Sequence, residues 1–397
     1  MTASSQVDHN PPQLPRLQPP TIVDSSTTFS RLQQELVHVN RIAVDSESNS
    51  LFAYHEQVCL IQISSNTKDF LIDPIRLADS VDFDFLGSLF ANPQIEKVLH
   101  AAEYDVMTLR RDFGFSFTNL FDTMIAARIL GLERVGLGAL LEERFSVKAD
   151  KRHQRANWGK RPLTSDMIRY AQMDTHYLLP LRDELNDQLQ QGGNLDEARE
   201  LFDEVAEAKW SGTEFDPNGF WRINGVNHLS LRKIAILEIL YQYREQQAQQ
   251  RDLPVFKIMP DEALLNLAVK EPGNFKELAD VPGISQHSID RYGSDLLSLI
   301  KQGLQAPLPQ RPTPRDQFDE VVQRRFESLH TWRKERAAKR GVSSEVILSK
   351  DALWELAQHA PQTLEELAAI RGIGPWRAQT YGDELLAILA ALDTSTL

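Results

Sequence analysis

Cysteine is nearly absent: the 397-residue chain has one, Cys59, so no disulfide can form within it, and a reducing compartment, the cytoplasm, is expected. Cys59 stands between Val58 and Leu60 in an apolar run, which reads as a buried strand position and not as a nucleophile. No run of 18 apolar residues occurs, and the N-terminal residues lack the basic-then-apolar pattern of a secretory signal. Membrane insertion and secretion are therefore not expected. Positive charge is short as well, 43 Lys and Arg against 56 Asp and Glu, for a net charge of −13. On that balance, any nucleic-acid contact has to rest on local basic patches.

What remains is an ordinary globular composition, 42% hydrophobic and 25% charged, long enough for two to three domains with their own cores. One stretch organises it. In Arg41-Ile-Ala-Val-Asp45-Ser-Glu47 an apolar strand-like run ends in two carboxylates spaced i, i+2. Strand side chains alternate, so Asp45 and Glu47 share a face. Two neighbouring carboxylates repel unless a cation sits between them, and a divalent metal meets that need better than one Lys or Arg.

Further acids follow on readable elements. Residues 95–109 read as a short strand feeding a helix that carries Asp105 near its start. Residues 163–179 read as an amphipathic helix on which Tyr170 and Asp174, spaced i, i+4, share a face. Asp122 reads as a helix N-cap, and His176 as a partly exposed polar residue off the acidic face. Residues 148–161 hold six basic residues against one acidic, at the threshold of the Tyr170 helix, and can bring cations to the mouth of an acidic site. The strands mixed with helices predict an α/β domain with a central mixed sheet.

The blocks Val44-Asp45-Ser46-Glu47, His100-Ala-Ala-Glu-Tyr-Asp105 and Tyr170-Ala-Gln-Met-Asp174 resemble the three motifs of the DEDD superfamily of 3′–5′ exonucleases, tyrosine subclass. Asn157-Trp158-Gly-Lys160-Arg161-Pro162-Leu163 and Leu60-Ile-Gln62-Ile-Ser are similar to stretches of the ribonuclease D family. The resemblance spans most of residues 22–210. Ser46 departs from it, standing where many members carry Thr, and is expected to face away from the site. The resemblance implies a ribonuclease H-like fold and two Mg²⁺ or Mn²⁺ ions per active site. Asp45, Glu47 and Asp174 would hold one ion, Asp45 and Asp105 the other, with Tyr170 orienting the attacking water. It also implies hydrolysis of RNA from a free 3′ end to 5′-mononucleotides, with tRNA precursors as substrates.

Beyond residue 226 the chain repeats itself. Ala263-Leu264 and Ala352-Leu353 lie 89 residues apart, and that offset holds without a gap from Tyr243/Trp332 to Ile300/Leu389, through Gly283/Gly372 and Tyr292/Tyr381. Each copy reads as four or five short helices, an all-α bundle. The copies resemble HRDC domains, the helical module of helicases and ribonuclease D. Their helix–turn–helix segments, residues 278–289 and 367–378, have the shape that offers backbone amides to a phosphate. Residues 324–340 carry seven basic side chains against Glu327 and Glu335, marking the second copy as the better RNA contact.

The expected plan is a disordered tail over residues 1–20, an exonuclease domain over 21–210, a linker over 211–226 and a first HRDC domain over 227–303. A Pro-rich linker over 304–315 and a second HRDC-like domain over 316–394 complete it. His100, Lys160, Arg161, Arg333 and Arg336 are the candidate RNA contacts, and a monomer is expected. Two other functions fit the same acids, a DNA 3′–5′ exonuclease and a non-catalytic RNA-binding scaffold. Neither a polymerase nor a helicase domain accompanies the acids, and a scaffold has no need of unpaired buried carboxylates.

Overall fold

A computed structural model describes residues 14–210, 212, 215–311 and 320–393. Most of the expected tail and the last four residues of the Pro-rich linker lie outside these residues. The chain divides into two compact units, one containing Met1–Ser48, Val58–Trp210 and Asp316–Leu397, the other Asn49–Gln57 and Ser211–Arg315.

The first unit is built on six strands: β1 (Thr21–Val23), β2 (Arg41–Ser48), β3 (Val58–Ser64), β4 (Asp69–Ile72), β5 (Glu96–Leu99) and β6 (Leu120–Asp122). They form one mixed sheet in the order β1-β4-β3-β2-β5-β6. β3 pairs antiparallel with β2 and β4, while β2–β5, β5–β6 and β1–β4 are parallel. The central β3, Val-Cys-Leu-Ile-Gln-Ile-Ser, is buried at every position, as a strand covered on both faces must be.

Among the described residues nine helices surround the sheet: α1 (Ser26–Leu36), α2 (Pro74–Leu77), α3 (Asp84–Ala91), α4 (Glu103–Phe113), α5 (Thr123–Ile129), α6 (Leu137–Phe145), α7 (Ser165–His176), α8 (Leu178–Gln191) and α9 (Leu195–Ala206). The main core joins sheet residues such as Ile42, Val44, Ile61 and Val98 to Leu32, Leu86, Val106 and Leu185 of the helices. A smaller cluster of Cys59, Leu60, Leu71, Trp158, Met167 and Ala171 seats α7 on the sheet. The chain makes the three-residue β6 and then α5, capped as expected by Asp122.

Residues 14–20 form no helix or strand but are tied down, which departs from a disordered tail. The Pro15 carbonyl accepts from His176 at 3.1 Å and the Gln18 carbonyl from Gln172 at 2.5 Å. His176 is accordingly buried, 8% exposed, and bonded to Asp69 at 2.8 Å. The expectation of partial exposure is corrected, because the segment supplying its cover lies some 160 residues away in sequence.

In the second unit α10 (Leu231–Arg251), α11 (Val255–Ile258), α12 (Asp261–Lys270), α13 (Phe275–Ala279) and α14 (Gln286–Gly303) make the first bundle. The expected linker before it contributes two 3₁₀ turns whose Phe220, Ile223 and Val226 enter the bundle's core. Those residues belong to the domain. Asn49–Gln57 joins the same unit, with the Tyr54 and His55 amides both donating to Asp252.

The second bundle, α15 (Glu320–Arg340), α16 (Ser344–Ile347), α17 (Lys350–His359), α18 (Leu364–Ala368) and α19 (Pro375–Asp393), packs with the sheet domain in the first unit. Its Val346 is part of the main core. Among the described residues no helix is long and apolar enough to cross a membrane.

Candidate active site

The site opens where β2 outruns β5. β2 pairs with β5 only over Arg41–Ala43, while its other edge stays paired with β3 as far as Ser48. From Asp45 onward one edge of β2 is therefore free, and α4 and α7 close around it. Pairing with buried β3 fixes the alternation, which aims Asp45 and Glu47 together at α7. There Tyr170 and Asp174 share a helix face. Carboxylate oxygens of Asp45, Glu47 and Asp174 come within 4.8 Å of one another.

Asp105 stands beside this trio, 6% exposed at the start of α4. It accepts the Ser46 hydroxyl at 2.5 Å and also the Ser46 backbone amide from the free edge of β2. Ser46 also lines the cleft. Its side chain does leave the face of Asp45 and Glu47, but it meets a fourth carboxylate there, so the expectation that it faces away from the site is corrected.

Gln62 stands in one of the stretches similar to the ribonuclease D family, with no role assigned to it from sequence. It is fully buried in β3 and donates to Asp45 at 3.3 Å, while its own Oε1 lacks a partner. The signal was a lone amide in an otherwise apolar strand, which has to serve something.

The four acids sit in one another's field. Burial first, then Asp105, Asp174 and Glu47, hold the Asp45 carboxyl well above the usual range. Burial first, then Asp174 and Asp105, do the same to Glu47. Burial pushes Asp174 from 3.8 to about 7 against a hydrogen bond from Tyr170. It pushes Asp105 to about 7 against the bonds from Ser46. Among the described residues no lysine or arginine is near enough to counter these charges. Crowded carboxylates, one buried and three half-buried, with free lone pairs and no counter-charge among the described residues, fit a hard divalent cation.

The cleft measures about 700 Å³ and is lined by the acids, His100, Leu137, Leu141, Tyr170 and Met173, with Lys148, Lys151, Arg152 and Arg169 on its rim. Arg152 is tied to Asp150. Arg169 was not anticipated, though its place next to Tyr170 on α7 is readable. His100 lines the cleft bonded to Thr123, and burial lowers it to about 4, so it is neutral there.

Three of the other expected RNA contacts have protein partners. Arg161 bonds Asp73 and the Cys59 and Trp158 carbonyls, stapling the wall of the cleft to the sheet. Buried Arg333 donates to the Leu348 carbonyl, and Arg336 pairs with Glu384. Lys160 is exposed and does not line the cleft. In the basic run of α15, Arg340 pairs with Glu197, and Arg324 and Arg325 donate to the Glu320 and Ala357 carbonyls. Lys334 and Lys339 of the same run stay exposed.

Fold and site define a 3′–5′ exonuclease domain followed by two HRDC domains. Profiles with those two descriptions match residues 20–190, and residues 233–300 and 322–389, respectively. The chain is 31% identical over 324 residues to the exosome complex exonuclease RRP6 of Saccharomyces cerevisiae, covering 75% of this chain and 43% of that one. It is 25% identical to a ribonuclease D of Nitrobacter hamburgensis over 92% of this chain and 94% of that one. The crystal structure of Escherichia coli RNase D, described as an exoribonuclease involved in structured RNA processing, superposes with a TM-score of 0.65 at 26% identity. It covers 94% of this chain and 99% of that one. The chain spans less than half the length of the eukaryotic relatives it matches. It belongs to the ribonuclease D family of 3′–5′ exonucleases.

Proposed function

We propose that the protein is a metal-dependent 3′–5′ exoribonuclease that releases 5′-mononucleotides and trims the 3′ ends of tRNA precursors, working as a cytoplasmic monomer. The observation that carries the reading is the convergence of Asp45, Glu47 and Asp174 within 4.8 Å, with no lysine or arginine paired to them among the described residues, at the base of a cleft with a basic rim.

Asp45, Glu47 and Asp174 would hold one Mg²⁺ or Mn²⁺ ion, and Asp45 with Asp105 a second. Such ions supply the positive charge that makes water nucleophilic at neutral pH and that neutralises the departing 3′-oxygen. The chain's own groups do the rest. Lys148, Lys151 and Arg169 attract the phosphates, and Leu137, Leu141 and Met173 offer the terminal base an apolar wall. Burial and the neighbouring carboxylates raise the Tyr170 hydroxyl far above its ordinary value. It therefore stays protonated and serves to position the attacking water, not to deprotonate it. Gln62 and Ser46 hold Asp45 and Asp105 in place.

The test is a 5′-labelled RNA carrying a tRNA 3′ trailer, incubated with Mg²⁺ or Mn²⁺ beside the same sequence as DNA, a 3′-phosphorylated form and a circular form. Stepwise shortening of the RNA is expected, abolished by EDTA and slowed by the 3′ phosphate. Cleavage of the circle, or faster shortening of the DNA, would sink the proposal.

A further inference from the structure

The two bundles place the same hairpin at the same position of the repeat and cap it differently. In the first, Ser285 caps α14 in the usual manner, its hydroxyl accepting the amide of Ser288 at 3.2 Å. At the matching position of the second stands Gly374, which has no side chain to offer. The open amides of α19 are taken by Glu200 of α9 instead, whose Oε2 accepts Trp376 N at 2.6 Å and Arg377 N at 3.4 Å. A methyl group on Gly374 would overlap that carboxylate.

The position of Ser288 is held by Arg377. Its guanidinium, 2% exposed, donates to Glu200 Oε1 at 3.0 Å and to the Ile347 and Val346 carbonyls. One turn earlier on α9, the fully buried Glu197 accepts both Nη atoms of Arg340 at 2.8 and 2.7 Å. Arg251, the first bundle's counterpart of Arg340, stacks over Tyr292.

We propose that the Glu197–Glu200 face of α9 is the dedicated ligand of the second bundle. Glu200 supplies the cap that Gly374 omits, and its carboxylate fills the amide cradle that a free hairpin of this kind offers to a nucleic-acid phosphate. The second bundle is in consequence a fixed part of the catalytic unit, and its hairpin is closed to RNA. The substitutions Ser285/Gly374 and Ser288/Arg377 between the repeats are what assign the copies their separate roles. This holds whatever nucleic acid the cleft degrades.

The experiment is hydrogen–deuterium exchange on the full chain with and without a single-stranded RNA oligomer. Variants are Glu200→Ala and Gly374→Ser, with Glu355→Ala, on α17, as the control. In the unmodified protein the amides of residues 376–378 and of α9 exchange slowly and RNA leaves them unchanged. Glu200→Ala speeds exchange on both sides of the contact by about tenfold, the size of one lost helix cap. Gly374→Ser does so too, yet gives α19 its own cap, so residues 353–357 in the bundle's core remain protected and unfolding is ruled out. Unchanged exchange in both variants, or protection of residues 376–378 by RNA in the unmodified protein, would overturn the proposal.

Discussion

One unit of this molecule buries carboxylates in two ways. On α9, Glu197 and Glu200 each face an arginine, Arg340 and Arg377, and every charge is answered inside the protein. At the end of β2, Asp45, Glu47, Asp105 and Asp174 answer only one another, and burial with mutual repulsion drives all four carboxyls upward. Both arrangements cost desolvation. The first recovers it as a fixed interface, whereas the second leaves it outstanding until a cation arrives from solution. The difference separates structural acids from working ones without reference to any relative.

The sharpest way to break that comparison is to remove one acid from each set. Asp45→Ala takes away a residue whose oxygens face both proposed ion sites. RNA shortening is expected to fall about 10⁴-fold, roughly 5.5 kcal/mol of barrier, while the far-UV spectrum stays that of the folded protein. Residual activity within tenfold of the parent would mean that the cluster is not the reacting centre. Glu197→Gln acts in the opposite sense. It leaves Arg340 without its buried partner and should destabilise the docked bundle by about 3 kcal/mol, the low end for a broken buried pair, because the Arg340 side chain retains 24% exposure. Nuclease activity below the new melting temperature should survive. Denaturant unfolding read alongside turnover distinguishes the two variants.

How much of this was legible in the chain follows from the range over which each feature is fixed. The alternation that aligns Asp45 with Glu47, the i, i+4 spacing of Tyr170 and Asp174, and the 89-residue repeat are local or periodic, and all were readable. Ser46 was placed on the correct strand face, yet nothing near it in sequence reveals that α4 brings Asp105 there. His176 was misjudged because its cover comes from Pro15. β6 was missed because three residues are too few to display a period. The arginines of α15 read as a basic face, since their partners, such as Glu197 for Arg340, lie up to 143 residues away.

Protonation supplies a third test. Without metal, folding raises Asp105 and Asp174 from 3.8 to about 7, so between those values the folded state holds more protons than the unfolded one. Their contribution to stability is intact below the unfolded value, declines as pH rises towards about 7, and stays lost above it. In chelator, the melting temperature should therefore fall across this window relative to Asp174→Asn, which should be the more stable protein at pH 8 by on the order of 2 kcal/mol. Mn²⁺ should reverse the order, raising the parent's melting temperature more at pH 8 than at pH 5. The Glu197–Arg340 pair, already neutralised, should show no response to Mn²⁺. A parent protein indifferent to both chelator and pH would remove the distinction between the two sets of acids.

Tyr170→Phe probes the boundary between the two kinds of residue, because the phenol is held by a working acid but carries no charge of its own. Its ring keeps its packing against Trp158, 5.9 Å away centre to centre, so the substitution removes little besides the hydroxyl. A general base would be worth two to four powers of ten, and its loss would bend the pH–rate profile. A positioning group is worth about tenfold, roughly 1.4 kcal/mol, and leaves the shape of the profile alone. The smaller effect is expected, confined to kcat, with Mn²⁺ affinity by calorimetry equal to that of the parent. The Asp174 carboxyl should also rise slightly in the metal-free variant, since Tyr170 donates the bond that holds it down. A thousandfold loss with an altered pH profile would instead make Tyr170 a proton-transfer group, despite a hydroxyl that its surroundings hold firmly protonated.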